Sequence, residues 1–451
     1  MRTGVVAVAL ALSVVAPLRS VHAQFSFDAR RYGMGGVSLS RDGNVRRYNP
    51  AYRAVKNRSN LTGNPKFSIP IPFGLIDFFK DHPINQLGHD PMFDPKSTQF
   101  NPVALLNVVL NPPVFLEIKK PPTPTNDVEF TIGKNQLIMD LGQTQVLIPE
   151  SEFGLGSSSR LLDLGMGFGG FNVGVMGFLQ YDVGFTLDPR LRAVLKDGAP
   201  VQPDSSYSVL IDALVQTGFA PTVGYAGRLT HGADPSTDDG FYIGGALHYY
   251  MGATYGRGSG PAGFTVGDTI FKSTPNILVN DTLLTSNKAF GKGIGGDVGI
   301  AWISGPFEVG LGVNDIGARL TWSDTKVQQI LYYAAGDSLR ATIVNNHIET
   351  KTELPITYVA NAALRMGTGT TVGGDVVNSG RGTIIHVGVE QRNGPIALRA
   401  GVSRDQRKHM QFGVGAGLRL GPIGLDAGLF THGNSLSSER AVTLATAISI
   451  Y

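Results

Sequence analysis

The chain has 451 residues, with 38 Lys+Arg against 35 Asp+Glu, 59 Gly, no Cys and 42% hydrophobic residues. A single soluble core rarely grows past ~250–300 residues, so the length calls for two domains or one very large closed sheet. The hydrophobic content excludes disorder, the missing cysteine excludes a disulfide scaffold, and the near-balanced charge leaves no footprint for nucleic acid.

Residues 1–23 read as a secretory signal peptide: Arg2 is the positive start, Val5 to Val15 the apolar stretch, and Val21-His22-Ala23 the small-residue cleavage site before Gln24. Without Arg2 and Arg19 the remainder holds 36 basic and 35 acidic residues. No later stretch supplies the ~18 consecutive apolar residues of a spanning helix. The exported chain is therefore soluble, secreted or threaded into an outer membrane as a β-barrel.

Residues 24–57 are glycine-rich at Gly33-Met34-Gly35-Gly36 and continue to Tyr48-Asn49-Pro50-Ala51. Asn49 is a good helix cap and Pro50 suits a first helical position, which predicts a short helix over 50–55. The block is too short to fold alone and must borrow a wall. A Pro-rich insertion follows at 71–125, holding Asp81, His82, His89, Asp90 and Asp94 in no metal-ligand spacing. After Asn101-Pro102, the residues Val103, Leu106 and Leu110 belong to a short helix apolar on most sides. No metal or other cofactor is expected. No Ser/His/Asp set stands in a nucleophile context, so no catalysis is expected either.

From residue 171 the pattern alternates. Phe171, Val173, Val175, Gly177, Leu179, Tyr181, Val183, Phe185 and Leu187 share one face, and Asn172, Gly174, Met176, Phe178, Gln180, Asp182, Gly184 and Thr186 the other, mostly polar or glycine. Phe307, Val309, Leu311 and Val313 oppose Glu308, Gly310, Gly312 and Asn314 in the same way. This is the dyad pattern of transmembrane strands, apolar toward lipid and polar or small toward the lumen. Strands are predicted to start near 159, 171, 218, 240, 293, 306, 356, 370, 383, 395, 410, 422 and 440. One more at 136–148 makes 14, and a pair at 58–70 and 126–134 would make 16. The fold class is thus all-β, a transmembrane antiparallel β-barrel of about 14 strands (14 to 16). Gly305-Pro306, Gly394-Pro395 and Gly421-Pro422 mark tight turns, with proline as the first strand residue, and Glu390 is placed diagonal to Arg399. The stretches 252–292 and 320–354 read as long external loops.

In the loop after 187, Val209, Leu210, Ala213 and Leu214 suggest a second amphipathic helical turn, and Pro221 a bulge or gap in its strand. The apolar residues Val103, Leu106, Leu110, Val209, Leu210 and Leu214 are candidates for holding a greasy ligand. By phase, Asp182, Asp297, Glu308, Asn314, His386, Glu390, Arg399, Arg419 and Asp426 face the lumen. In the last strand Tyr451 falls in phase with Ala445, Ala447 and Ser449, opposite the bulky set; either the strand bulges or this part of the lumen is apolar.

The Gly-Met-Gly-Gly start, the Tyr-Asn-Pro-Ala box about a dozen residues on and the terminal aromatic of a barrel resemble the FadL superfamily of outer-membrane transporters, which includes PorV-type proteins. Val313-Asn314-Asp315-Ile316-Gly317, Leu354-Pro355 and His386-Val387-Gly388-Val389-Glu390 are similar to the PorV-like branch. The resemblance implies a 14-stranded barrel over 58–451, in contact with outer-membrane lipid. It also implies an N-terminal hatch over 24–57, carried by Gly33, Met34, Gly35, Gly36, Asn49, Pro50 and Ala51. The function implied is passive uptake of hydrophobic, fatty-acid-like molecules; the alternative is a PorV-like scaffold that binds exported proteins or a secretion machine.

Overall fold

The structure is a computed structural model and describes residues 22–25, 29–38, 43–56, 65, 67–70, 128–132, 135–139 and, apart from a few isolated positions, 152–265, 276–333, 338–431 and 442–451. Most of the expected leader and all of the 71–125 insertion, with Val103, Leu106, Leu110 and the Asp81–Asp94 group, lie outside the described residues.

Antiparallel pairing builds one continuous wall. It begins with β5 (Glu152–Phe168) and β6 (Phe171–Leu187), and passes through β7 (Ser206–Arg228) and β8 (Gly240–Thr265) to β10 (Gly291–Ser304) and β11 (Phe307–Tyr333). It continues through β13 (Thr357–Met366), β14 (Thr370–Ser379), β15 (Thr383–Asn393) and β16 (Ile396–Arg404), then β17 (Met410–Leu420), β18 (Ile423–Thr431) and β19 (Val442–Ile450). These thirteen strands are the thirteen whose starts the alternation predicts. The fourteenth place is different. β2 (Phe67–Pro70) pairs with β19, whereas β4 (Asn135–Met139) pairs only with β3 (Val128–Ile132) in a separate two-stranded sheet. Of the predicted strand at 136–148, residues 136–139 lie in that separate sheet and 140–148 lie outside the described residues; the place beside β19 is taken by β2, within the predicted 58–70 stretch. β1 (His22–Phe25) pairs along β5 and runs beside β2, which brings the two ends of the wall together.

Alternation decides which face meets which medium. Along β11, Phe307, Val309 and Leu311 are 52%, 43% and 51% exposed while Glu308 between them is fully buried. Exposed Phe168, Phe171, Tyr225, Trp302 and Phe307 gather near the tight turns, and exposed Tyr249, Phe290 and Tyr358 toward the other end. Two aromatic rims around an apolar belt are the outer signature of a barrel in a bilayer. From Trp302 to Ile294 the belt spans about eight residues, ~27 Å along the strand at ~3.4 Å per residue. The chain thus has the architecture of an outer-membrane barrel. Among the described residues, no helix is long and apolar enough to cross a membrane.

The tight turns need one correction of register. Ser304 faces Phe307, Asn393 faces Ile396 and Leu420 faces Ile423, so each Gly-Pro pair is the whole two-residue loop. Gly305, Gly394 and Gly421 have φ of +53°, +59° and +65°, the left-handed region that opens a type II′ hairpin turn and favours glycine. Proline sits second in the turn, not first in the strand. Glu390 consequently stands directly opposite Arg399 instead of diagonal to it.

The predicted external loops are largely strand. β8 and β11 run for 26 and 27 residues, far beyond the belt. Where β10 stops, β9 (Asn276–Ser286) takes its place between them, and β12 (Ser338–Glu353) takes the place of β13 along the upper part of β11. One side of the barrel thus rises as a tall wall. The segment 207–215 is also strand, within β7, so the expected amphipathic helix does not form there. A helix, α3 (Pro189–Asp197), does precede it, capped by Asp188, whose Oδ1 accepts from the backbone N–H of Arg190 at 2.8 Å.

Candidate functional site

The interior holds three stacked arrangements, the first made by the N-terminal segment. Its helices α1 (Ala29–Gly33) and α2 (Gly43–Tyr48) and the 3-10 helix Pro50–Ala54 lie against inward faces of the wall. The predicted short helix after Asn49 exists as this tighter 3-10 turn, with Asn49 Oδ1 accepting from Ala51 N–H at 3.0 Å. Glycine explains how main chain can lie flat on a sheet. A Cβ on Gly388 or Gly401 would collide with the Met34 carbonyl, on Gly413 with that of Tyr32, and on Gly428 with that of Ala29. A second track, Gly244, Gly299, Gly310 and Gly312, receives Pro50, Asn49, Tyr52 and Tyr48. β19 pairs with β18 without a bulge, and its inner face is small and apolar at Ala445 and Ala447, where Ala29 packs, before turning polar at Ser449. Tyr451, just past β19, lies under the Arg419 guanidinium at 4.3 Å, and burial pushes its phenol above the usual range.

Charge fixes the segment laterally. Arg30 donates to both oxygens of Glu390 at 2.8 Å, Arg399 donates to Glu390 at 2.7 Å and contacts Asp426 at 2.7 Å, and Ser449 donates to Asp426 at 2.7 Å. Asp375 accepts from the Ser38 backbone N–H and holds His386 Nδ1, each at 2.5 Å, while Gly36 covers the imidazole. On the other side Asn314 donates to the Tyr48 carbonyl at 2.9 Å, and Glu308 pairs with Arg365. Buried charges demand such partners, since an unpaired one costs several kcal/mol (~3–5). Of the expected lumen residues, Asp297, Glu308, Asn314, His386, Glu390, Arg399 and Asp426 are buried on the inner face; Asp182 and Arg419 are half-buried.

The second arrangement centres on Arg160 of β5, which the sequence reading did not single out. Its guanidinium contacts Asp297 at 2.5 and 2.7 Å and Asp315 at 3.0 Å. His248 Nε2 lies 2.7 Å from Asp297, and the Tyr250 hydroxyl donates to Asp315 at 2.6 Å. Arg160 also donates to the carbonyl of Arg47, and Arg47 returns a bond to the carbonyl of Arg160, tying the cluster to the N-terminal segment.

Tyr250 links this polar base to a packed apolar cluster, termed the chamber. Its ring meets Phe178 edge-on at 5.3 Å, and Met176, Ala220, Tyr255, Ala318, Leu320, Trp322 and Leu354 complete the cluster. Tyr255 stacks on Trp322 at 5.3 Å, and Trp322 occupies space that a Cβ on Gly252 or Gly291 would fill. Of the predicted ligand-contacting residues in β7, Leu214 packs against this cluster and Leu210, in the same phase, stands higher on the inner face and is 51% exposed. Strand alternation sends Val209 to the opposite face, so the helical grouping of the three does not hold. Beside the chamber the β7–β8 ladder lacks pairs between Phe219–Met251 and Thr222–His248, the gap expected at Pro221.

The third arrangement spans the interior. Trp322 Nε1 donates to Thr352 Oγ1 at 3.0 Å, Thr352 donates to Gln216 Oε1 at 2.7 Å, and Gln216 Nε2 donates to Gln180 Oε1 at 2.5 Å. Gln216 is on β7 and Thr352 on β12, with β8, β9 or β10, and β11 between them in the wall. Their contact therefore crosses the lumen in the upper layer of the cluster, level with Tyr255 and Leu320. Higher still, Arg257 and Asp212 form a half-exposed pair at 3.2 Å.

No family model matches the chain, and no curated protein matches it. Solved structures similar in outline are transporters and channels. The toluene transporter TbuX of Ralstonia pickettii is 12% identical, with a TM-score of 0.34 over 68% of this chain and 90% of that one. The CymD monoaromatic hydrocarbon channel is 13% identical, with a TM-score of 0.35 over 72% and 94%. The toluene transporter TodX of Pseudomonas putida is 10% identical, with a TM-score of 0.32 over 68% and 90%.

Proposed function

We propose that the protein is a FadL-type channel of the outer membrane that takes up hydrophobic small molecules. The observation that carries this reading is the chamber itself: Phe178, Tyr250, Tyr255 and Trp322 bring four aromatic rings together on the inner face, above the smaller apolar clusters that pack on the N-terminal segment. A protein that only needed to fill its lumen could do so with the charge pairs and glycine tracks seen below. An inward aromatic lining offers a greasy solute a place to leave water, worth ~25 cal/mol per Å² of apolar surface removed. Selectivity would come from Tyr250 and the glutamines at its polar edges, since ligand sites are mostly apolar with a few placed polar groups.

In this reading the N-terminal segment, with Gly33, Met34, Gly35, Gly36, Asn49, Pro50 and Ala51, is the hatch below the chamber. The Pro221 gap is a second way out, toward the bilayer. Transport is passive and runs down the solute's own gradient with no cofactor. The test uses cells expressing the full chain and N-phenyl-1-naphthylamine, an uncharged aromatic that fluoresces on passing the outer membrane. Faster entry than in cells lacking the protein, lost on Phe178→Asp, supports the channel. Unchanged entry, together with a stable exported-protein partner in a pull-down, would replace it with the scaffold reading.

A further inference from the structure

The contact between Gln216 and Thr352 joins strands that the wall keeps three strands apart. It is made by side chains alone. Gln216 is fully buried, Thr352 7% exposed and Trp322 fully buried, so the bridge sits in the closed interior and not on a rim. Its hydrogen bonding is also self-consistent. The Thr352 hydroxyl uses its single proton toward Gln216 and accepts from the indole, while the Gln216 amide accepts on oxygen and donates on nitrogen to Gln180. Gln216 Nε2 additionally approaches the Glu353 carbonyl at 3.4 Å.

Above the bridge the inner face is open to water: Leu210 and the Arg257–Asp212 pair are about half exposed. Level with it and below it the members of the aromatic chamber are buried. The bridge thus belongs to the upper layer of the dry interior, directly beneath the wet vestibule. Trp322 belongs to both, closing the chamber with its ring and the bridge with its N–H.

We propose that Gln216, Thr352 and Trp322 form an outer gate, distinct from the N-terminal segment, which a solute must part to enter the chamber. This rests on the channel reading. Parting it exchanges a few side-chain hydrogen bonds for bonds to water and moves no main-chain ladder, so a solute can open it by displacing the indole. Solutes that carry a hydrogen-bonding group can replace the bond that Trp322 or Thr352 gives up, and they pass the gate more readily than pure hydrocarbons of the same size.

The absence of native cysteine makes the test direct. The double variant Gln216→Cys/Thr352→Cys, in the full chain in cells, is bridged with a short bis-methanethiosulfonate reagent and released with dithiothreitol. Entry of N-phenyl-1-naphthylamine is followed in each state. Single-cysteine variants receive the same treatment, and Thr352→Val removes the bridge without a reagent. The gate predicts entry at least about fivefold slower when cross-linked and restored on reduction, no such change in the single variants, and faster entry in Thr352→Val by about the factor one hydrogen bond represents. Equal entry in the cross-linked and reduced states, with wild-type entry normal, overturns the gate and leaves the channel standing. No entry in any state, from protein that still shifts with heat on a semi-native gel, overturns both.

Discussion

Arg30 and Glu390, 360 residues apart in sequence, meet inside the barrel in a two-pronged ion pair with side chains 3% and 0% exposed. Glu390 simultaneously serves Arg399, its direct cross-strand partner. The two losses are therefore unequal. Arg30→Ala leaves Glu390 with Arg399 and, at 3.6 Å, Arg392, whereas Glu390→Ala removes the carboxylate that three arginines share. Glu390→Ala is expected to cost ~3–5 kcal/mol and Arg30→Ala clearly less. The temperature at which the folded band disappears in a semi-native gel checks the order; equal shifts would contradict it.

Glycine at 401 is required by the neighbour it receives, not by its own backbone. Gly401→Val puts side-chain atoms where the Met34 carbonyl lies, and is expected to expel residues 29–38 from the wall. Gly256→Ala has nothing within 4 Å of its new Cβ and is the control. Limited proteolysis of the N-terminal segment distinguishes them: rapid cleavage for the first, the wild-type rate for the second.

The apolar belt can be tested without a ligand. Leu311, half exposed on the outer face, becomes a charge in the bilayer when replaced by arginine, at a cost of ~2–4 kcal/mol near the midplane. Leu311→Arg is expected to lower the yield of heat-modifiable protein in the membrane fraction. A barrel whose outer face met water would tolerate it, so unchanged yield would argue against the placement of the belt.

Removing a ring from the chamber makes space. Phe178→Ala is expected to destabilise by ~3–5 kcal/mol, and an apolar cavity of that size stays dry and takes a small aromatic. Benzene should therefore raise the unfolding temperature of the variant more than that of the wild type; an equal effect on both would contradict a buried cavity at Phe178.

The membrane part of this fold was legible because a bilayer enforces strict alternation: each of the thirteen long strands has to keep its outer face apolar. The tall wall was not legible. β9 and β12 stand clear of the belt, where an outer face can be polar, so a segment such as Ser338–Glu353 reads as loop. Val209, Leu210, Ala213 and Leu214 misled because i, i+1, i+4 and i+5 spacing fits a helical face as well as a strand with mixed faces. The stretch 58–70 reads only as one of an optional pair, not as the fourteenth strand, because the four residues of β2 carry almost no period.

The site was legible in its charges and not in their grouping. Phase alone put Asp297, Glu390, Arg399 and Asp426 inside. Arg160, which joins Asp297 to Asp315, sits 137 and 155 residues from them, and no local spacing announces such a partner. The same holds for Gln216 and Thr352, 136 residues apart. The glycines were visible as inward positions, but the main chain lying on them was not.

The central claim is that a hydrophobic molecule is held in the aromatic chamber, and Trp322 reports on it. The only other tryptophan, Trp302, is on the outer face and can be replaced by phenylalanine. Titrating purified Trp302→Phe protein in detergent with N-phenyl-1-naphthylamine should give saturable energy transfer from Trp322, reversed by excess toluene. Transfer that rises linearly with probe and persists unchanged with toluene would mean that the probe resides only in detergent and the chamber holds nothing.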